Sequence, residues 1–205
     1  MNTEVVSGSA VGVVILAAGA STRMGTPKQL LPLQGRSFLR QAAETALASV
    51  CQPIIVVLGA YAERLRQEVE DLPVQVVENL RWAEGMSSSV WAGVAALDAT
   101  PDKISAVVLT LCDQPFVSAE VINQIVEAYH VTGKPIVASE YAGTLGVPAL
   151  FSRTFFSELK ALRRGEGAKQ VIAKHAHEVF GVPFPEGAID IDTPKDYEQF
   201  QTRIY

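Results

Sequence analysis

Short apolar runs alternate with amphipathic stretches along the first two thirds of the chain. Runs rich in β-branched residues predict buried strands at 13–16, 54–58, 74–77 and 107–111. Between these runs, apolar residues recur at the three- to four-residue spacing of a helix face near 38–47, 61–72 and 121–129. Strands that alternate with helices predict an α/β fold with a mostly parallel sheet.

The rhythm changes after residue 133. We predict short strands at 136–138 and 148–151, helices near 153–162 and 167–176, and a last helix from Pro194. No linker, repeat or low-complexity tract interrupts the chain, so we expect a single domain over 1–205.

Composition and charge narrow the class of protein. The 205 residues, 48% of them hydrophobic, suit one globular domain, and a net charge of −5 argues against a nucleic-acid partner. Cys51 and Cys112 are too few for a disulfide framework or a zinc site and suit a reducing cytosol. The apolar run at 10–20 is too short to span a bilayer. We therefore expect a cytoplasmic enzyme without a membrane partner.

A glycine-punctuated loop follows the first predicted strand. Gly19 and Gly25 allow a tight bend that presents backbone N–H groups, and Arg23 and Lys28 add two cations, so a phosphate-bearing ligand is indicated. The spacing fits neither a Walker A element nor a dinucleotide fingerprint, because five residues separate the two glycines. An ordinary strand-to-helix connection is the alternative.

Carboxylates are expected near the same loop. Asp113 follows the strand that ends near 111, and the carboxyl ends of parallel strands meet at one edge of a sheet. A carboxylate beside phosphates implies Mg²⁺ between them. Asp190 and Asp192, before the last helix, share one face if the segment is extended, so either can supply a second ligand. The alternative is that Asp192 or Thr193 only caps that helix.

Three serines at 87–89 open a predicted helix, where one hydroxyl suffices as a cap and another is free for a base or a phosphate. His175 and His177 are not expected to bind metal, since residues two apart on a helix point in different directions. No nucleophile and base pair is legible in the sequence. An anionic phosphate nucleophile needs no general base, only alignment and charge neutralisation.

Together these motifs resemble nucleotidyltransferases that attach a nucleotide to the molybdenum cofactor. The resemblance rests on LAAGASTRMGTPKQLL at 16–31, ENLRWAEGMSSSVWAG at 78–93, LTLCDQP at 109–115, GVP at 146–148, GEGAKQVI at 165–172 and DIDTPKDY at 190–197. It implies a three-layer, Rossmann-like fold of the nucleotide-diphospho-sugar transferase type. It also implies a nucleotide-binding half over about 10–133 and an acceptor-binding half over about 134–205.

The cytidylyltransferase branch is the most similar, which implies transfer of CMP from CTP to the terminal phosphate of molybdopterin with release of pyrophosphate. The resemblance also implies a molybdoenzyme as a further protein partner. By the same resemblance Arg23 and Lys28 neutralise the triphosphate, Ser89 contacts the base, and Asp113 and Asp192 bind Mg²⁺. The base and phosphates are held by Leu16, Ala17, Ala18, Gly19 and Gly25.

Two departures and three alternatives accompany the resemblance. Val147 stands where the family often has a polar residue, and Lys169 stands where it typically has arginine. Guanylyl transfer from GTP is the nearest alternative, but that branch usually has glycine where this chain has Ala18. The others are an oxidoreductase, against which the missing dinucleotide fingerprint counts, and a non-catalytic nucleotide-binding protein, which would need no metal carboxylates.

Overall fold

A computed structural model describes residues 10–204. The strands are β1 (Ala10–Leu16), β2 (Pro32–Leu33), β3 (Arg36–Ser37), β4 (Ile54–Leu58), β5 (Gln75–Glu78), β6 (Ile104–Leu111), β7 (Ile136–Tyr141), β8 (Thr144–Ser152) and β9 (Val179–Pro183). The helices are α1 (Phe38–Leu47), α2 (Ala62–Arg66), α3 (Met86–Asp98), α4 (Ala119–Thr132), α5 (Phe156–Lys160), α6 (Ala168–Lys174) and α7 (Pro194–Ile204). Short 3-10 turns connect several of them.

Seven strands form one sheet in the order β5-β4-β1-β6-β8-β7-β9. Of these strands only β8 runs antiparallel to its neighbours, so the other six share one direction. Leu16 at the end of β1 is in register with Val57 of β4 and Leu111 of β6. The carboxyl ends of these three strands therefore lie level, at the edge where a ligand is expected.

Helices cover both faces of the sheet. Leu39 of α1 and Ile125 of α4 belong to the core cluster on one face, and Val94 of α3 and Ile172 of α6 belong to the cluster on the other. A third, smaller cluster, which includes Phe200 of α7, joins the C-terminal helix to the loop after β1. The predicted three-layer α/β architecture is confirmed.

Glycine allows α3 to approach the sheet closely. A Cβ at Gly93 would lie 2.3 Å from Val14 Cγ1 and 3.0 Å from Val57 Cγ2. The middle of α3 therefore packs directly against β1 and β4.

Several element boundaries differ from those expected. The helix expected over 61–72 is wrong in length, because α2 ends at Arg66 and the chain continues through turns such as the Leu72 N–H to Val69 carbonyl bond. Val69 is still buried, so the apolar spacing reports burial rather than helical geometry. His175, expected on a helix, directly follows α6, and β9 was not predicted.

Across residues 10–204, each helix is too short or too polar to cross a bilayer.

Candidate functional site

The loop after β1 leaves open space beside its two glycines. Gly25 has φ +74°, in the left-handed region that favours glycine, and its N–H and that of Met24 donate to the Ser21 carbonyl (3.2 and 2.9 Å). A Cβ placed at Gly19 or Gly25 would have no heavy atom within 4 Å. Packing against protein therefore does not require glycine at Gly19, and the space beside it is available to a ligand.

Two cations and two carboxylates converge at this edge. A 3-10 turn, Lys28–Leu30, directs Lys28 Nζ to the Oδ2 of Asp113, and the same nitrogen lies 3.0 Å from Oδ1 of Asp192. Arg23 donates to Oδ2 of Asp192 at 2.8 Å. The Lys28 side chain is 16% exposed and that of Arg23 is 70% exposed. The structure thus brings together Arg23, Lys28, Asp113 and Asp192.

The opposite charges in this cluster stabilise one another's ionised forms. Burial opposes the positive charge of Lys28, but Asp113 and Asp192 outweigh it and raise the pKa of the ammonium. Partial burial likewise opposes ionisation of Asp192, but Lys28 and Arg23 together lower its pKa. Lys28 is therefore a cation and Asp192 an anion across the neutral range.

Asp190 is in a different environment from Asp192. Burial, followed by the negative charges of Asp113 and Asp192, raises the pKa of Asp190 to about 6. The start of α7 is capped instead by Thr193 and Asp196, where the Thr193 N–H donates to Oδ2 of Asp196 at 2.8 Å. The side chain of Asp192 is consequently not the helix cap, and it pairs with the two cations.

The carboxylates fit a divalent cation that a substrate helps to hold. Oδ1 of Asp113 is buried and has no hydrogen-bond partner among the described residues, which is the state expected of an oxygen that a ligand or ion satisfies. Mg²⁺ usually takes one or two carboxylates and completes its shell with water and substrate phosphates. Accordingly, residues 10–204 contain no group of three or more acidic, histidine or cysteine side chains that could hold a metal.

Asn79 organises the serines at the start of α3. Its Nδ2 donates to Ser88 Oγ (2.9 Å) and Ser89 Oγ (3.1 Å), and its Oδ1 accepts from the Arg81 N–H. All three serines at 87–89 are buried. Asn79 was not predicted from the sequence, although it directly follows β5 as the loop residues follow β1 and β6.

The Gly-Val-Pro element at 146–148 lies in β8 and accepts hydrogen bonds from two neighbouring side chains. Gln114 Nε2 and the Tyr141 hydroxyl both donate to the Val147 carbonyl, at 3.2 Å each. A Cβ at Gly146 would lie 2.1 Å from the Tyr141 oxygen, so a side chain at this position would displace the Tyr141 hydroxyl. Because the bonds reach the backbone of Val147, they do not depend on the polar side chain that the family often has. Neither Gln114 nor Tyr141 was predicted.

Lys169 and the histidines lie away from the charged cluster. Lys169 of α6 lines a cavity of about 300 Å³ together with Glu140 and Leu145 of the β7–β8 hairpin. His175 lies between Glu158 and Glu178, 3.0 Å from each, and its ring centroid is 6.5 Å from that of His177. The histidine is thus part of a polar link between α5 and the segment after α6.

Comparisons with known proteins agree with this arrangement. A family model described as the MobA-like NTP transferase domain matches residues 13–179. The purine catabolism protein PucB of Bacillus subtilis (strain 168) is 30% identical over 199 residues, 90% of this chain and 93% of that protein. The molybdenum cofactor cytidylyltransferase of Escherichia coli (strain K12) is 26% identical over 190 residues, 92% of this chain and 94% of that protein.

A relative with a different named activity is also similar. The nicotine blue oxidoreductase of Paenarthrobacter nicotinovorans is 35% identical over 141 residues, which are 68% of this chain and 66% of that protein.

Among solved structures, Rv0371c from Mycobacterium tuberculosis H37Rv superposes with a TM-score of 0.80 at 29% identity, over 95% of this chain and 98% of that one. Its complex with manganese gives a TM-score of 0.74 at 28% identity, over 93% and 97%.

Proposed function

The chain belongs to the MobA-like NTP transferase family and is a nucleotidyltransferase, and we propose that it transfers CMP from CTP to the terminal phosphate of a molybdopterin-type acceptor. The observation that carries the proposal is the convergence of Lys28, Asp113 and Asp192 beside the open glycine loop. The likeness to the Escherichia coli molybdenum cofactor cytidylyltransferase supports CTP and this acceptor.

The proposed reaction is a phosphoryl displacement. An oxygen of the acceptor phosphate attacks the α-phosphorus of CTP and forms a new phosphorus–oxygen bond. The bond from that phosphorus to the α,β-bridging oxygen breaks, and pyrophosphate leaves with the electron pair. Because the nucleophile is already an anion, the chain's own task is alignment and charge compensation, which Lys28 and Arg23 provide to the triphosphate.

Asp113 and Asp192 would hold Mg²⁺ together with the phosphate oxygens. When bound there, the ion supplies positive charge that stabilises the transition state at the α-phosphorus. The same two carboxylates are paired with Lys28 and Arg23. These pairs compensate the two negative charges with cations of the protein itself.

We expect CTP to be preferred to GTP by roughly a hundredfold in kcat/KM, because two polar groups left unpaired by a wrong base cost about 1–3 kcal/mol each. The guanylyl branch usually has glycine where this chain has Ala18, whose methyl group is buried beside Gly59 at the ends of β1 and β4. Pyrophosphate release with magnesium, a molybdopterin-type acceptor and each nucleotide in turn measures this preference.

Equal or better kcat/KM with GTP would reverse the assignment to guanylyl transfer. Reaction of CTP with a different phosphate or an alcohol, but not with molybdopterin, would retain nucleotidyl transfer and reject the acceptor. Ala18→Gly is the informative variant, because it should raise the relative use of GTP if this methyl group shapes the base pocket.

A redox activity is the second candidate, and the likeness to nicotine blue oxidoreductase favours it. The two candidates differ in a simple readout, since hydride transfer changes the absorbance of NADH or NADPH and releases no pyrophosphate. Incubation of the chain with a reduced nicotinamide cofactor and a quinone-type dye tests it. Dye-dependent oxidation of the cofactor that survives Asp113→Asn would favour the redox candidate over nucleotidyl transfer.

A further inference from the structure

Gln29 lies beneath the glycine loop and points away from the charged cluster. It is 1% exposed and directly follows Lys28 in the 3-10 turn. The turn sends the Lys28 ammonium towards Asp113 while the neighbouring amide enters the interior of the loop. One short turn therefore places a cation on one side and an uncharged hydrogen-bonding group on the other.

The amide of Gln29 holds the loop at three points. Its Nε2 donates to the backbone carbonyls of Ala17 (3.0 Å) and Gly19 (2.7 Å). Its Oε1 accepts from Ser21 Oγ at 3.2 Å, and that hydroxyl oxygen accepts from the Lys28 N–H at 3.1 Å. The loop is thus cross-linked from inside by polar contacts, and at Gly19 no heavy atom packs against the Cβ position.

These bonds also determine the direction of the neighbouring amides. In a planar trans peptide the C=O and N–H groups point to opposite sides. Because the carbonyls of Ala17 and Gly19 point inward to Gln29, the N–H groups of Ala18 and Ala20 point outward, away from it. Outward-pointing N–H groups on a bent loop are the donors that bind phosphate oxygens.

We propose that Gln29 is a positioning residue that holds the 17–21 segment in the conformation that presents its amides to the triphosphate. The identity of the ligand in this inference rests on the proposed nucleotidyl transfer. The hydrogen bonds by which Gln29 holds the loop do not depend on that function. Glutamine suits the task because it donates two hydrogen bonds through one nitrogen and accepts through its oxygen. A glutamate at this position would direct negative charge at two carbonyl oxygens, and a methionine would donate nothing.

The test compares Gln29→Met with the wild-type chain. We expect the ligand-free variant to exchange amide hydrogens faster over residues 17–25 and at the wild-type rate in β4 and β6. KM for CTP should rise roughly tenfold, as expected for loss of two neutral hydrogen bonds, with a smaller change in kcat. Gln41→Met is the matched control, since Gln41 is a half-buried glutamine on α1, and it should leave loop exchange and KM unchanged.

Other outcomes separate this proposal from the proposed function. Unchanged loop exchange and unchanged KM in Gln29→Met would overturn the positioning role, as would faster exchange throughout the protein with an unchanged KM. If the wild-type chain binds neither CTP nor GTP, the proposed function fails and loop exchange alone decides the role of Gln29. Should the methionine variant not fold, Gln29→Asn replaces it, because its amide is one methylene too short to reach both carbonyls.

Discussion

At the scale of single residues, Asp113 combines a paired and an unpaired oxygen. Oδ2 is in contact with Lys28, whereas Oδ1 is buried without a hydrogen-bond partner among residues 10–204. We expect Asp113→Asn to fold and to lower turnover by on the order of a hundredfold or more, because the anionic anchor for the metal is lost. Steady-state kinetics with magnesium, alongside thermal unfolding, measures both effects.

Asp102→Asn is the matched control for this prediction, since Asp102 is exposed and precedes the opposite end of β6. It should leave turnover unchanged. Turnover near that of the wild-type enzyme in a folded Asp113→Asn variant would refute the metal assignment.

Asp190 makes the stability of the fold depend on pH. Folding raises its pKa from 3.8 to about 6, chiefly by burial and then by Asp113 and Asp192. The native state therefore binds more protons than the unfolded state in this window, and the free energy of unfolding falls as pH rises through it. Asp190→Asn should unfold at higher urea concentration than wild type near pH 7.5.

The gain should be about 1 kcal/mol or less, because the surface of Asp190 is exposed to solvent, which screens its interactions. It should nearly disappear near pH 3, where the carboxyl of Asp190 is mostly protonated in both the folded and the unfolded state. Urea unfolding at the two pH values checks the sign, and an equal gain at both would show that charge on Asp190 is not the cause.

The sequence reveals some of these residues and not others. Asp113 and the glycine loop are visible because each follows a buried apolar strand. The contact of Lys28 with Asp192 joins positions 164 residues apart, and no local pattern encodes it. Gln29 and Asn79 were missed for another reason, since an amide that holds the backbone looks in the sequence like any polar residue.

At the scale of elements, α3 depends on the absence of a side chain. Gly93→Ala would place a methyl group 2.3 Å from Val14 Cγ1, so α3 must shift or the strand must yield. We expect a loss of about 1–3 kcal/mol in the free energy of unfolding, the usual cost of overpacking. Urea unfolding measures it. Ala95→Ser, which adds one heavy atom at a less buried position of the same helix, should cost less than half as much.

Strands that are almost wholly buried were easier to predict from the sequence than a strand at the edge of the sheet. The strands β4 and β6 are almost wholly buried; β4 is a continuous apolar run, and only Ser105 and Thr110 interrupt the apolar residues of β6. In β9 only Val182 is buried, so no alternation marks the strand. Pairing with β7 makes it a strand, and such a partner is not visible in the local sequence.

At the scale of the whole molecule, the candidate site joins distant parts of the chain. Arg23 and Lys28 come from the loop after β1, Asp113 from the end of β6, and Asp192 from the segment before α7. The small cluster of Met24, Ile191 and Phe200 packs beneath this junction. The C-terminal segment is thus part of the site, and it is held there by apolar contacts as well as by charge.

The position of β1 inside the sheet also determines the order in which the strands can pair during synthesis. β1 lies between β4 and β6, and β8 lies between β6 and β7. During synthesis the first strand can gain its second partner only after residue 111 has emerged, and β8 must then enter between two strands made before it. Of the four charged residues at the candidate site, Asp192 is synthesised last. A growing chain therefore carries Arg23, Lys28 and Asp113 long before it has Asp192, the second carboxylate that pairs with these cations, and the candidate site is completed only as α7 docks.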